Sequence, residues 1–363
     1  MNDLKANRGI LGMNESLTDA EYNVSNCLSY SKIKDVYDNP ETLTKERVSE
    51  DKEWLVFGTL VDMILTQPPE EFEKRVLVND KVPSDQYKNI IQYYVDMQYT
   101  TPLESLTNED IETLYSNSGS DVKWLPDTKR KKLIENGVEY LKLITEHKDK
   151  LIVTVDVFNE AMNIAEVFRT HKWTKELFMS KQEQEENNIE LYYQFKIKYI
   201  YEDLWFQSKL DIVKIDHDFK IISIYDIKTG IDAPRMFTRS ALYKYKYIYQ
   251  SVLYNEGMDA FISNISSLRN YSLDNFRFIY ISRLKPTYPI ILQISQEAHM
   301  EILNTGIDDR SYFLPSLTDI TEAVQFYVKE IDEGKIPTIP RDIDLVFGEK
   351  KIYAYSNSPN LAF

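Results

Sequence analysis

The chain has 363 residues, 43% of them hydrophobic, which is enough to bury a sizeable core. No stretch has the composition of a linker, so we predict one compact body. The formal net charge of −15 argues against a general polyanion binder, because phosphate contacts need clustered cations. The single cysteine, Cys27, excludes a disulfide framework, a cysteine-based zinc site and an iron–sulfur cluster held by this chain alone.

The chain begins without the basic and apolar regions of a signal peptide, so we expect a cytoplasmic protein. Two helices are predicted between residues 20 and 66, the first with Ser29 or Ser31 as its N-cap and the second ending before Pro68. The second contains the longest apolar run, which Asp62 interrupts and which is shorter than the roughly 20 residues of a membrane span. We therefore expect no membrane association.

A short turn into an extended segment is predicted after the prolines that end this helix. Residues 86–180 then follow a mainly helical pattern, with breaks near Pro102, at 116–121 and at Pro126. These segments together form a predicted helical N-terminal part, residues 1–185.

The pattern changes to alternation between residues 189 and 229, where three consecutive strands are predicted. One long helix, TRSALYKYKYIYQSVLYNEG, follows and is expected to stop at Gly257. Two more strands and a terminal amphipathic helix complete the pattern. This order predicts an α/β fold with a mixed central sheet flanked by helices, divided into a core at 186–300 and a C-terminal helix and tail at 301–363.

An aspartate and a lysine stand two residues apart near the end of the third predicted strand. Because residues two apart share a face of a strand, Asp226 and Lys228 point into the same pocket. The preceding strand offers Asp211, which lies opposite Ile224 if the hairpin loop is 216–219. The Cα atoms of the two aspartates are then on the order of 8 Å apart, a gap that one shared metal ion can bridge.

Hard oxygen ligands of this kind favour Mg²⁺ or Mn²⁺, and a neighbouring lysine can position or deprotonate a water and stabilise developing negative charge. Phosphodiester hydrolysis needs this chemistry. The alternative interpretation is structural: Asp211 and Asp226 end their strands, and Lys228 is a surface ion-pair partner. The second aspartate and the helix that follows favour the functional interpretation.

The segments SKLDIV and YDIKTG resemble the D…(D/E)-x-K signature of the PD-(D/E)xK nuclease superfamily. YKYIYQSVLY is similar to the Q-x-x-x-Y helix of its RecB-like and RecE-like exonuclease branch, and FGTLVD resembles the G-x-x-x-H/D helix of that branch. The resemblance runs from about residue 25 to residue 300. It implies a restriction-endonuclease-like core and the activity of a phage-type exonuclease.

Carried over residue by residue, the resemblance implies that Asp211, Asp226 and the main-chain carbonyl of Ile227 bind the metal ion and that Lys228 is the catalytic lysine. It implies Asp62 as a further ligand, at a position where relatives often carry histidine. An aspartate on an apolar helix is costly to bury without a partner, and a metal ion is such a partner. The alternative for Asp62 is a solvated helix position.

The helix after the third strand carries the other implied site residues. Gln250 and Tyr254 share one helical face, and the resemblance places both near the metal ion and the DNA, with Gln250 in the catalytic group. The alternative for Tyr254 is packing on the sheet. Arg239 and Lys246, among tyrosines, predict a track for the DNA backbone and bases, or else a solvated helix face. Lys32 lies on the helix that the family places at the mouth of the DNA channel.

One position departs from the family pattern. Relatives carry an acid at the start of the first core strand, where this chain has Gln194 and Lys196. Glu190 or Glu185 could serve instead. The number of metal ions is therefore left open at this stage.

We predict a deoxyribonuclease dependent on Mg²⁺ or Mn²⁺, an exonuclease that resects linear double-stranded DNA in recombination or replication. The resemblance implies DNA, a single-strand annealing protein and a homo-oligomer as partners, and a phage origin would place the protein in the host cytoplasm. Two alternatives stay open: a structure-specific endonuclease of the same fold, and a nuclease-fold protein that binds DNA or protein without cutting. No P-loop occurs, so ATP hydrolysis is not expected.

Overall fold

The computed structural model describes residues 27–38, 42, 53–309 and 312–333. The chain divides into two compact units, one comprising Met1–Gly58 with Ile164–Phe363 and the other Thr59–Asn163. This division differs from the single body predicted above. The second unit is an insertion into the first, and the chain passes between them inside helices, so no linker composition marks the boundaries.

The described residues form these helices and strands in chain order: α1 (Tyr30–Asp38), α2 (Glu53–Thr66), α3 (Pro69–Arg75), β1 (Val76–Val78), α4 (Asp85–Asp96), α5 (Asn108–Asn117), α6 (Pro126–Glu146), β2 (Leu151–Val153), α7 (Val155–Thr170), α8 (Lys181–Glu186), β3 (Ile189–Tyr201), β4 (Leu204–Asp216), β5 (Ile221–Gly230), α9 (Pro234–Arg239), α10 (Tyr247–Asn264), β6 (Ser272–Leu273), β7 (Phe276–Ser282), β8 (Ile290–Ile294), α11 (Gln296–Asn304), β9 (Ile307–Asp309), β10 (Tyr312–Leu314) and α12 (Leu317–Asp332). Short 3₁₀ turns occur at Leu103–Ser105 and Lys175–Phe178.

The first unit is built on a six-stranded mixed sheet with the order β3-β4-β5-β7-β8, and β6 pairs with β5. The strands β3, β4 and β5 form an antiparallel meander. β7 is parallel to β5 and antiparallel to β8. The mixed sheet and its first three strands agree with the sequence prediction, whereas the short strands β6, β9 and β10 and the helix α11 were not predicted.

The long helix predicted before β7 is broken. α9 ends at Arg239, Ser240–Lys244 form one π-helical turn, and Lys246 adopts a left-handed conformation with φ of 55°. Each half is anchored by aromatic packing on β7: Phe237 stacks on Tyr280 with ring centroids 3.9 Å apart. Tyr247, the first residue of α10, packs on Phe278 with ring centroids 5.7 Å apart. The break lets both halves keep these contacts.

Gly257 does not stop α10, which continues to Asn264. The glycine is needed because the helix lies against the sheet: an added Cβ would come within 2.6 Å of Cε1 of Tyr199. The helix that opens the described chain is attached to the same sheet. The N–H of Leu28 donates to the carbonyl of Trp205 at 2.8 Å, one residue before the N-cap position Ser29.

The second unit is mainly helical, as predicted. Its core lies between α4, α5 and α6, and a short parallel ladder joins β1 to β2. Pro69–Arg75 form a helix where a turn was predicted, because Pro69 occupies the first turn and acidic and basic residues match the helix ends. Among the residues that the structure describes, none of the helices is both long enough and apolar enough to cross a bilayer.

The terminal amphipathic helix agrees with the prediction, since α12 follows a Ser316 cap in which Oγ accepts the N–H of Asp319 at 3.0 Å. The predicted N-terminal segment before residue 27 and the tail after residue 333 lie outside the described residues.

Candidate active site

The two aspartates of the D…D-x-K pattern lie in the middle of β4 and β5, just beyond the end of the ladder that pairs these strands. The ladder between these strands ends at the pair Ile212↔Tyr225. Continuing its register places Asp211 opposite Asp226 and not opposite Ile224, because the hairpin loop begins one residue later than predicted. Asp211 is therefore nearer to Asp226 than the predicted register put it, and the two carboxylates interact electrostatically.

Beyond the end of the ladder, the side chain of Asp211 accepts a hydrogen bond from β5 in place of the main chain of β4. Its Oδ2 accepts the N–H of Ile227 at 2.8 Å. In an extended strand the N–H and C=O of one residue point to the same side. The carbonyl of Ile227 therefore points toward the side on which the Asp211 carboxylate lies.

Asp226 is a buried carboxylate, only 2% exposed. Its Oδ1 accepts a hydrogen bond from Nε2 of Gln250 at 2.6 Å, and its Oδ2 accepts one from Nζ of Lys228. Burial raises the pKa of Asp226 to about 7, with Lys228 opposing the shift and Asp211 adding to it. The carboxyl thus sits where a charge is disfavoured unless cations are near.

Lys228 remains a cation in these surroundings. Burial by itself would lower the pKa of Lys228, but Asp226, Tyr247 and Asp211 together hold it above its usual range. The ammonium also lies 4.8 Å from the ring centroid of Tyr247 and 5.8 Å from that of Phe278. Sequence reasoning missed these two aromatic neighbours, because Phe278 comes from a strand whose packing the motif does not include.

Gln194 occupies the position where an acid was expected. It has φ of 54° and interrupts the pairing of β3 with β4, so that its Nε2 lies 3.5 Å from Oδ1 of Asp211. Glu190 is not a substitute: it lies about 13 Å further along the strand, where its Oε1 is 3.3 Å from Nε2 of His217. Glu185 is an exposed residue of α8.

The donor set fits a hard divalent cation. Within the described residues no group of three His, Cys, Asp or Glu side chains could hold a metal ion. Mg²⁺, however, is commonly bound by one or two carboxylates and keeps several waters, which Asp211, Asp226 and the Ile227 carbonyl can satisfy. The buried Oε1 of Gln250 has no hydrogen-bond partner within the described part of the chain, so one polar atom beside Asp226 can still accept a hydrogen bond.

Asp62 belongs to the second unit. There the hydroxyl of Thr66 donates to its main-chain carbonyl at 2.8 Å, one turn along α2. Asp62 is only partly exposed. Its part in metal binding stays a prediction.

The predicted DNA-binding residues occupy different surroundings. Tyr254 is 9% exposed and packs in the core, with its ring centroid 6.0 Å from that of Phe276, as in the structural alternative. Arg239 and Lys246 flank the break between α9 and α10. Lys32 lies on α1, where burial lowers the pKa of its ammonium.

Comparison with known proteins gives little similarity at the level of sequence. No protein-family model matches the chain, and no curated protein matches it. Its fold is similar to the crystal structure of a protein from Eubacterium rectale that bears the name "Putative exonuclease", with 13% identity, coverage of 90% of this chain and 89% of that chain, and a TM-score of 0.44.

Proposed function

We propose that the protein is a metal-dependent deoxyribonuclease, and more specifically an exonuclease that degrades linear double-stranded DNA. The observation that carries the proposal is the convergence of four side chains on one cluster, in which Asp226 and Gln250 are buried and Asp211 and Lys228 are partly exposed. Three different elements supply them, since β4 carries Asp211, β5 carries Asp226 and Lys228, and α10 carries Gln250.

Asp211, Asp226 and the carbonyl of Ile227 would hold Mg²⁺ or Mn²⁺. Such an ion supplies Lewis acidity toward a phosphoryl oxygen and lowers the pKa of a bound water. Lys228 places a fixed positive charge where negative charge develops on the phosphate. Gln250 fixes the Asp226 carboxylate through Nε2 and leaves its Oε1 available to orient a water.

A protein that only bound DNA would have no physical need for this cluster. Burying Asp226 beside a second carboxylate costs free energy, and the nearby negative charge repels phosphate. A divalent cation offsets both effects. This reasoning favours a nuclease over the non-cutting alternative.

The DNA would approach along the surface where α1 meets the break before α10. The Tyr30 hydroxyl donates to the carbonyl of Tyr245, so the two segments meet there. Lys32, Arg239 and Lys246 lie on these segments and would contact the backbone. Exonuclease action rests on the resemblance of the Gln250 and Tyr254 helix, and a single-strand annealing protein and a ring-shaped homo-oligomer belong to the same proposal.

Digestion of linear and covalently closed circular duplex DNA with Mg²⁺ tests the proposal. We expect loss of linear DNA alone, with a 5′ or 3′ end label giving the polarity. Asp226→Asn should be inactive, whereas Asp216→Asn should be fully active, because Asp216 lies at the turn end of β4, where it accepts the N–H of Phe219.

Each other outcome points elsewhere. Cutting of closed circles would assign an endonuclease of the same fold. Absence of cutting with Mg²⁺ and with Mn²⁺, together with calorimetric Mg²⁺ binding that is the same in Asp226→Asn, would overturn the nuclease proposal and favour a non-cutting scaffold.

A further inference from the structure

The ammonium of Lys228 has two kinds of neighbour. Its Nζ donates to Asp226, and the same atom faces the rings of Tyr247 and Phe278 at 4.8 and 5.8 Å from their centroids. The two ring centroids are 5.7 Å apart. The rings therefore form one aromatic wall beside the ammonium.

A metal ion held by Asp226 changes the balance between these neighbours. A carboxylate oxygen that serves a divalent cation attracts the ammonium less, and the ion itself repels the ammonium. A ring face is a poor ligand for a hard cation, yet it attracts an ammonium. The aromatic wall thus keeps its hold on Lys228 when the ion pair weakens.

We propose that Tyr247, supported by Phe278, is a positioning residue that holds Nζ of Lys228 in place while Asp226 serves the metal. This inference rests on the proposed nuclease function and adds a residue to it. Without the wall, the freed lysine would sample other rotamers. The charge would then be misplaced at the moment it is needed.

The surroundings of Tyr247 fix its ring. Tyr245 stacks on it with centroids 5.3 Å apart, and Tyr30 lies on α1 at 6.2 Å. Lys246, immediately before Tyr247, takes a left-handed conformation, which is unfavourable for a residue with a Cβ. The left-handed residue changes the direction of the chain at the start of α10 and thereby determines where the Tyr247 ring lies.

Graded weakening of the ring face gives the first test. Tyr247 is replaced by phenylalanine and by mono-, di- and trifluorinated phenylalanines, which keep the shape and remove the negative face. The phenylalanine variant is the reference of this series, and we expect kcat of the fluorinated variants to fall stepwise to about 3- to 30-fold below that reference. KM for DNA and the Mg²⁺ affinity should not change.

The same series at Phe206 is the matched control. Phe206 is a fully buried ring that stacks on Tyr199 and faces the core, so fluorination there should leave kcat unchanged. A flat kcat across the series at Tyr247, or an equal decline at Phe206, would overturn the inference.

A second measurement needs no turnover. In protein labelled at the lysine ε carbons, with the Lys228 signal assigned through Lys228→Arg, the ring currents should shift the Lys228 ε protons upfield before and after Mg²⁺ saturation. Tyr247→Leu should reduce the shift. Collapse of the shift on Mg²⁺ binding in the wild type would show that the lysine leaves the wall, which contradicts the proposal even in an active enzyme.

The two proposals fail separately. If Mg²⁺ binds independently of Asp226 and no DNA is cut, the nuclease proposal fails. If Asp226→Asn is inactive but the fluorinated series is flat, the nuclease proposal stands and only the role of Tyr247 is lost.

Discussion

The two ends of the β4–β5 hairpin carry similar residue types in opposite surroundings. At the turn end, Asp216 accepts the N–H of Phe219 at 3.1 Å, and His217 contacts the Tyr271 hydroxyl at 2.7 Å, both near solvent. At the other end, Asp226 is 2% exposed and lies across from Asp211. Hydrogen bonds explain the polar residues of the turn, because each one closes or braces a reversal of the chain.

The site end cannot be explained in that way. The hairpin needs no carboxylate at Asp226, and burying one beside another charge is unfavourable. The polar residues of the turn thus stabilise the fold, whereas Asp226 is buried at a cost in stability. The following substitutions compare matched positions at the two ends.

Lys228→Met should have the largest effect. Removing the charge should lower the cleavage rate by about 10²- to 10³-fold. The buried Asp226 then has no cation, so the metal-free variant should unfold at lower temperature, and Mg²⁺ should raise its Tm by more than it raises that of the wild type. Cleavage assays and thermal unfolding with and without Mg²⁺ measure both effects.

Lys214→Met is its control. Lys214 lies on β4 near the turn, is also largely buried, and pairs with Glu176 at 3.0 Å. We expect some loss of Tm, with cleavage and Mg²⁺ stabilisation unchanged. An equal loss of activity in both variants would mean that the two ends do not differ in function.

Two substitutions at Asp211 distinguish its role in stabilising the fold from its proposed role in metal binding. Asp211→Asn keeps an acceptor for the N–H of Ile227 and should leave stability nearly unchanged, whereas Asp211→Leu leaves that N–H unsatisfied and should cost about 1 to 3 kcal/mol. Both should lose Mg²⁺ binding. Urea unfolding and calorimetry distinguish these effects, and full Mg²⁺ affinity in Asp211→Asn would remove Asp211 from the ligand set.

Buried glutamines offer a third comparison. Both polar atoms of the Gln184 amide are hydrogen-bonded: Oε1 accepts the N–H of Leu191 and Nε2 donates to the carbonyl of Met179, each at 3.0 Å. Gln250 donates through Nε2 to Asp226, while its Oε1 has no partner among the residues that the structure describes. Gln184→Met should therefore cost about 1 to 3 kcal/mol of stability and no activity.

Gln250→Met should show the reverse pattern. It removes an unsatisfied oxygen as well as a hydrogen bond, so its stability should stay within about 1 kcal/mol of wild type. Its cleavage rate should fall about 10-fold, because the Asp226 carboxylate is less firmly oriented. Wild-type activity in Gln250→Met would remove this residue from the catalytic group.

The sequence predicted the strands of the site because alternation, turn residues and a D-x-K pattern are local signals. It placed Asp211 two residues out of register, since a one-residue error in a hairpin loop shifts each cross-strand pair by two. It also predicted one helix where α9 and α10 are separate. That break depends on where Phe237 and Tyr247 pack on β7, which is a tertiary contact.

Other features left no signal in the pattern. The second unit enters and leaves inside helices whose own patterns are uninterrupted, so its boundaries were not predicted. Gly257 was read as a helix end, although close packing on Tyr199 explains it. The aromatic wall around Lys228 joins β5, β7 and the start of α10, and no spacing along the chain connects these three.

The smallest expected effects concern two left-handed residues, one in the hairpin turn and one on β3 beside the site. Lys220 in the turn and Gln194 beside Asp211 have φ of 53° and 54°. Glycine at either position relieves strain of about 1 kcal/mol, offset in part by the entropy that glycine loses on folding.

Lys220→Gly should therefore gain a few tenths of a kcal/mol and cut DNA normally. Gln194→Gly should match it in stability but lose the amide that lies 3.5 Å from Asp211, so its Mg²⁺ affinity should change. If calorimetry shows the same Mg²⁺ affinity in both variants, the left-handed conformation of Gln194 determines only the path of β3 and has no role in metal binding. A change confined to Gln194→Gly means that the left-handed conformation of Gln194 is maintained, at a cost in stability, to place its side chain at the site.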